Sequence, residues 1–147
     1  LNVFQIVTMA SIIQRESVNP TDLPYIASVY WNHLNDVSET AGLLDADPTV
    51  QYAMGYRPDE QTWWEKDPSK IDTSIDSPYN TYKHAGLPPG PISNPDLASI
   101  KAAIYPARSN FLYFQVLPDP KTHGKTYHTY FCVTLACQTN QSGVRVH

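Results

Sequence analysis

The chain has 147 residues, 41% hydrophobic and 12% aromatic, enough for one domain that buries about two thirds of the surface its unfolded chain exposes. The net charge of −4 and the absence of a basic run argue against nucleic acid or an anionic membrane surface as partner. The longest apolar run is too short to span a bilayer, so any membrane attachment would need an anchor outside this sequence. With no initiator Met and no signal peptide, the sequence opens inside a predicted helix and reads as a piece of a longer protein. Thirteen Pro predict fixed turns and long ordered loops, and ten Tyr and three Trp suit either a core or a carbohydrate or peptide groove.

A first helix is predicted over 3–17, with Asn2 and Gln5 as a capping box and Asn19-Pro20 ending it. Ile6, Met9, Ala10, Ile13 and Glu16 fall on one stripe, while Gln14 and Arg15 are left to face water. Thr21 or Asp22 caps a second helix to about Leu34, with Ile26, Val29, Tyr30 and Leu34 facing inward. Gly42 to Ala46 reads as extended. Asp47-Pro48 reads as cap and first position of a short helix that stops at Gly55.

Residues 56–78 are polar around Trp63 and Trp64, and 56–76 read as a surface insertion with one helical turn. The stretch YNTYKHAGLPPGPISNP, 79–95, holds too many Pro and Gly for helix or central strand and reads as a long, ordered, functional loop. Ser93 or Asn94 caps a helix over Asp96–Tyr105. Two strands follow, FLYFQV (111–116) and Thr126–Val133, joined by PDPKTHGK as a hairpin. Residues 138–147 form a polar tail that frays. Helices first and a hairpin or small antiparallel sheet last make the fold class α+β.

The chemistry centres on Glu16. An acid on an apolar stripe loses hydration, and its pKa rises toward the range that suits general acid/base catalysis. The competing reading is structural, with Glu16 paired to a buried Arg or His, or sitting at the rim of the stripe. Asp47 is explained as a cap, and Asp45 points the opposite way if its segment is extended. Asp59, Asp67, Asp72 and Asp76 read as solvated. No Ser-His-Asp order, nucleophile elbow or phosphate loop occurs. Cys132 and Cys137 could form a disulfide in an exported protein or be two small buried hydrophobes; no metal and no cofactor are expected.

ASIIQRES (10–17), IASVYWNHL (26–34), DPTVQYAMG (47–55), YNTYKHAGLPPGPISNP (79–95) and LASIKAAIYPARSNFLYF (97–114) come in the order and spacing of a known family. On these blocks the chain resembles the YceG-like (MltG) endolytic murein transglycosylases, and all of 1–147 then reads as one catalytic domain of that type. The resemblance implies a bacterial lyase on the extracytoplasmic face of the cell membrane, held by an N-terminal transmembrane helix upstream. It implies cleavage of nascent peptidoglycan strands between MurNAc and GlcNAc, leaving a 1,6-anhydro-MurNAc end and terminating elongation, with cell-wall synthases as partners. The family's catalytic glutamate matches Glu16. The loop is expected to wall the saccharide groove through Tyr79, Asn80, Tyr82, Leu87 and Pro88, with Gln51 as a further polar contact.

The chain departs from the pattern in three places. Gln14-Arg15-Glu16 keeps only the second of two acids common there, Asp45 stands at a usual Gln, and Cys137-Gln138 replaces a Glu-His pair. The family's small upstream domain is absent from this sequence. Two other classes compete: a glycan-binding module that does not cut, and a muramidase that uses water.

Overall fold

The computed structural model describes residues 1–17, 19–118, 126–131 and 145–146. Helix α1, Val3–Glu16, starts where local chemistry dictates. The Asn2 side chain accepts from the Gln5 N–H at 2.9 Å, and the Gln5 side chain accepts from the Asn2 N–H at 3.0 Å. Helices α2 (Leu23–Asn35), α3 (Val37–Thr40), α4 (Asp47–Met54) and α5 (Leu97–Ile104) follow, with one 3-10 turn at Pro68–Lys70. Strands β1 (Tyr113–Pro118), β2 (Thr126–Phe131) and β3 (Arg145–Val146) form an antiparallel sheet in that order. The fold is thus mixed, with helices preceding strands.

The core forms between α1, α2 and α5, closed by the approach to the sheet. Met9, Ile12 and Ile13 of α1 meet Ile26, Val29 and Tyr30 of α2, Ala102 and Ala103 of α5, and Phe111 and Tyr130. Burying each large apolar side chain contributes about 1.5–3 kcal/mol, and the alanines of α5 let it lie close to α1. Polar groups complete the join. The Ser11 hydroxyl accepts from the Ile92 N–H at 3.0 Å, and the Ser93 hydroxyl donates to the Ser11 carbonyl at 2.8 Å. Gln14, expected in water, instead accepts from the Asp96 N–H and the Ser99 hydroxyl, both at 2.8 Å.

Several boundaries differ from the sequence reading, each for a physical reason. Ser93 is occupied by Ser11, so Asp96 caps α5 and accepts from the Ser99 N–H at 2.8 Å. The first strand begins at Tyr113, not Phe111. Phe111 and Leu112 are buried, and their carbonyls face side chains of α2: Asn32 donates to the Phe111 carbonyl at 2.8 Å, and the His33 ring meets that of Leu112. Arg145 and Val146, in the tail expected to fray, pair with β2. The hairpin loop after Pro118, Cys132 and Cys137 lie outside the described residues.

The polar stretch 56–76 is not wholly surface. Trp64 is half-buried against the core, Glu65 is buried, and Arg57 Nη2 reaches the Glu65 carboxylate at 3.0 Å. Trp63 stacks on Tyr52 of α4, with ring centroids 5.7 Å apart. Asp59, Asp67, Asp72 and Asp76 are exposed, as expected. Among the described residues no helix is long and apolar enough to cross a membrane.

Candidate active site

Glu16 is the last residue of α1, where the buried stripe runs out into an open groove of about 220 Å³. Tyr30, buried on α2, donates its hydroxyl hydrogen to the Glu16 carboxylate. Tyr82 lies in the 79–95 loop, which contains no helix or strand, and its hydroxyl donates to the Asp47 carboxylate at 2.6 Å. Glu16, Tyr30, Asp47, Tyr82, His33 and Asp45 share the groove, with Leu112, Tyr113 and Phe114 at the start of β1 as its opposite wall.

The acids do not stand as their sequence neighbourhoods suggest. Ala46 occupies the cap position of α4, and Asp47 is already helical. Its carboxylate is engaged by Tyr82 and not by the helix N-terminus. Asp45 has φ +49°, which breaks the extended alternation and lets both acids line one groove. Arg15, next in sequence to Glu16, turns away: its guanidinium lies over the Trp64 ring, 4.0 Å from the centroid. The ion pairs among the described residues are both at Arg57, so Glu16 is not half of a structural salt bridge.

Burial therefore dominates the electrostatics of Glu16 and pushes its carboxyl up to about 7; the Asp47 carboxylate adds to the rise, while the Tyr30 hydrogen bond and Arg15 oppose it. Burial also raises Tyr30 and Tyr82, each further raised by the acid it serves, so both remain phenols that donate hydrogen bonds. Burial raises Asp45 too, and His33 counters it.

Of the expected groove residues, Tyr82 joins Glu16 and the others do not line the groove. Asn80 is fully buried; its amide donates to the Thr73 and Ile75 carbonyls at 2.9 and 2.8 Å, and its oxygen accepts from the Tyr82 N–H at 3.0 Å. Gln51 donates to the Glu65 carbonyl at 2.6 Å. Tyr79 packs on Tyr52 at 4.9 Å, Leu87 lies half-buried against the core, and Pro88 is buried. Sequence reasoning missed Tyr30, His33 and Asp47 as groove residues. The inward stripe of α2 places Tyr30 and the Asp-Pro helix start places Asp47, and neither signal separates a groove residue from core or cap; His33 had none.

The model of the YceG-like family matches residues 1–142. The chain belongs to the YceG-like family. It is 41% identical over 114 residues to an endolytic murein transglycosylase of Bacillus subtilis (strain 168), covering 78% of this chain and 29% of that protein. A protein of the same description from Streptococcus pneumoniae serotype 2 is 36% identical over 128 residues, covering 87% of this chain and 22% of its own length. The YceG-like fold is shared with a crystal structure of a yceG-like protein from Listeria monocytogenes, at TM-score 0.69 and 36% identity over 97% of this chain and 40% of that one. The chain thus spans less than a third of the two transglycosylases it resembles. Within the YceG-like chain, the matched region includes every groove residue from Glu16 to Phe114.

Proposed function

We propose that this chain is the catalytic unit of an endolytic murein transglycosylase, with Glu16 as its single general acid and base. The observation that carries the reading is the Glu16 carboxyl: raised to about 7, bonded to Tyr30, open to a groove and, among the described residues, without a cationic partner in a salt bridge. The names of the relatives point to the same chemistry. Protonated Glu16 donates to the glycosidic oxygen as the bond from MurNAc C1 breaks, and an oxocarbenium-like centre forms. The resulting carboxylate then takes the proton of the MurNAc C6 hydroxyl, whose oxygen closes on C1. Two sugar ends result, one of them 1,6-anhydro, with no water consumed and the proton returned to Glu16.

On this reading 1–147 act as one domain on nascent peptidoglycan at the extracytoplasmic face of a bacterial membrane, alongside cell-wall synthases. Tyr82 and Asp47 act together at the acid. A second reading has specific support, since Asp45 and Asp47 share the groove and a carboxylate there could activate water as in a muramidase. Mass spectrometry of digested peptidoglycan decides between them. The lyase leaves ends lighter by one water than the hydrolase does, and hydrolysed ends alone would overturn the proposal.

The pH profile adds a sharper expectation. Glu16 must start protonated, so turnover falls as pH rises through about 7. Asp47→Asn removes a charge that holds the Glu16 proton, and the falling limb should move to lower pH. Tyr30→Phe removes the hydrogen bond that favours the carboxylate, and the limb should move to higher pH. Limbs that move in the same direction, or not at all, would show that Glu16 does not set the profile.

A further inference from the structure

We infer that His33 is a positioning residue that fastens the two walls of the groove by donating from both ring nitrogens, and therefore works as an imidazolium. His33 is buried on α2, one turn beyond Tyr30. Its Nδ1 lies 2.6 Å from the Leu43 carbonyl oxygen and its Nε2 lies 2.5 Å from that of Leu112. A carbonyl oxygen only accepts. A neutral imidazole has one N–H, so one contact would set a lone pair against a lone pair; the imidazolium alone donates at both nitrogens.

What the two bonds hold gives them their use. Leu43 leads into Asp45 and Asp47, and Leu112 leads into Tyr113 and Phe114, so one ring links the acid-bearing wall to the strand wall. Burying the ring opposes a charge on it, and one acid stands near to offset that cost. The Asp45 carboxyl faces it from the segment before α4, and the edge-to-face ring of Tyr113 packs 5.6 Å away from β1. Tyr30 and Glu16 lie beyond on α2 and α1 in the same groove. The backbone is held as well, since the hydroxyl of Thr40, the last residue of α3, donates to the His33 carbonyl at 2.6 Å. Loss of one ring proton would free one wall, and the spacing across the groove would no longer be set.

Two measurements test this. Nitrogen NMR on the wild-type chain at pH 7 should show a directly bonded proton on both His33 ring nitrogens; a neutral ring with one bare nitrogen overturns the inference. The second measurement rests on the lyase reading and counts anhydro ends released by variants. His33→Gln can serve one carbonyl and should lower turnover about 10²-fold through misplaced walls, with a smaller change in KM. His33→Arg restores two donors without an acceptor and should recover part of that loss. Full turnover in His33→Gln, or an Arg variant no better than Gln, overturns the positioning role. Wild-type chain is assayed alongside, so a failed lyase reading shows as absent anhydro ends while the NMR result still judges the imidazolium.

Discussion

Glu16→Gln should abolish the release of anhydro ends while the fold survives. Gln is nearly the same shape, so the end of α1 keeps its packing, and its amide oxygen still accepts from Tyr30. The amide can neither give a proton to the leaving oxygen nor take one from the C6 hydroxyl. Loss of general acid/base assistance costs about 10² to 10⁴ in rate, and more where one group serves both steps. Stability supplies an independent readout. The carboxyl releases its proton near 4.5 when free and near 7 in the folded chain. Between those values the folded state binds more protons than the unfolded one, so stability falls as pH rises across that window and levels off above it. The Gln variant lacks this slope. Its melting temperature should therefore gain on the parent's as pH rises from 4.5 to about 7. Breaking a buried ion pair would instead cost about 3 kcal/mol or more at neutral pH, and no such pair involves Glu16 among the described residues. Retained cleavage would refute the catalytic role, and a pH-independent difference in melting would refute the raised pKa.

The reasons Glu16 was legible and its neighbours were not lie in the range of the interactions. The α1 stripe and its capping box depend on residues three and four apart, and periodicity reports such spacings directly. Tyr30 satisfies the same rule, which places it only on the inward face of its helix. Whether an inward Tyr ends in a core or against an acid depends on how α1 crosses α2, which no single helix encodes. Asp47 illustrates a local rule losing to a distant partner: Asp-Pro is a strong helix-start signal, yet a hydroxyl 35 residues on takes the carboxylate. The alternation assumed around Asp45 failed at one left-handed residue. Gln14 and Trp64 looked solvent-facing because their partners, Asp96 and Arg15, come close only in the folded chain. His33 carried no sequence signal, since its two carbonyl partners are backbone groups that any residue would provide.

Asn80→Ala should be mainly a stability variant, the reverse of what its place in a groove-like motif suggests. The side chain is fully buried and makes three bonds, two as donor to the Thr73 and Ile75 carbonyls and one as acceptor from the Tyr82 N–H. Alanine removes all three and leaves a small void. A buried polar group stripped of its partner costs about 1–3 kcal/mol, but Thr73 is exposed and water can reach its carbonyl, so the total is about 3 kcal/mol. For a chain of this size each 1 kcal/mol moves the melting temperature by about 2–4 °C, giving a fall of about 6–12 °C. The effect on turnover is indirect. Tyr82 loses the bond that fixes its backbone, and its hydroxyl no longer meets Asp47 reliably, so turnover falls less than in Glu16→Gln. Asn80→Asp sharpens the contrast. It keeps an acceptor for Tyr82 but sets a carboxylate against two carbonyl oxygens, and should melt no higher than the Ala variant at pH 7. Thermal melts and saccharide binding on the same variants decide the matter. Weakened binding with an unchanged melt would return Asn80 to the substrate; a lowered melt, with affinity kept in the fraction that remains folded, makes it the brace behind Tyr82.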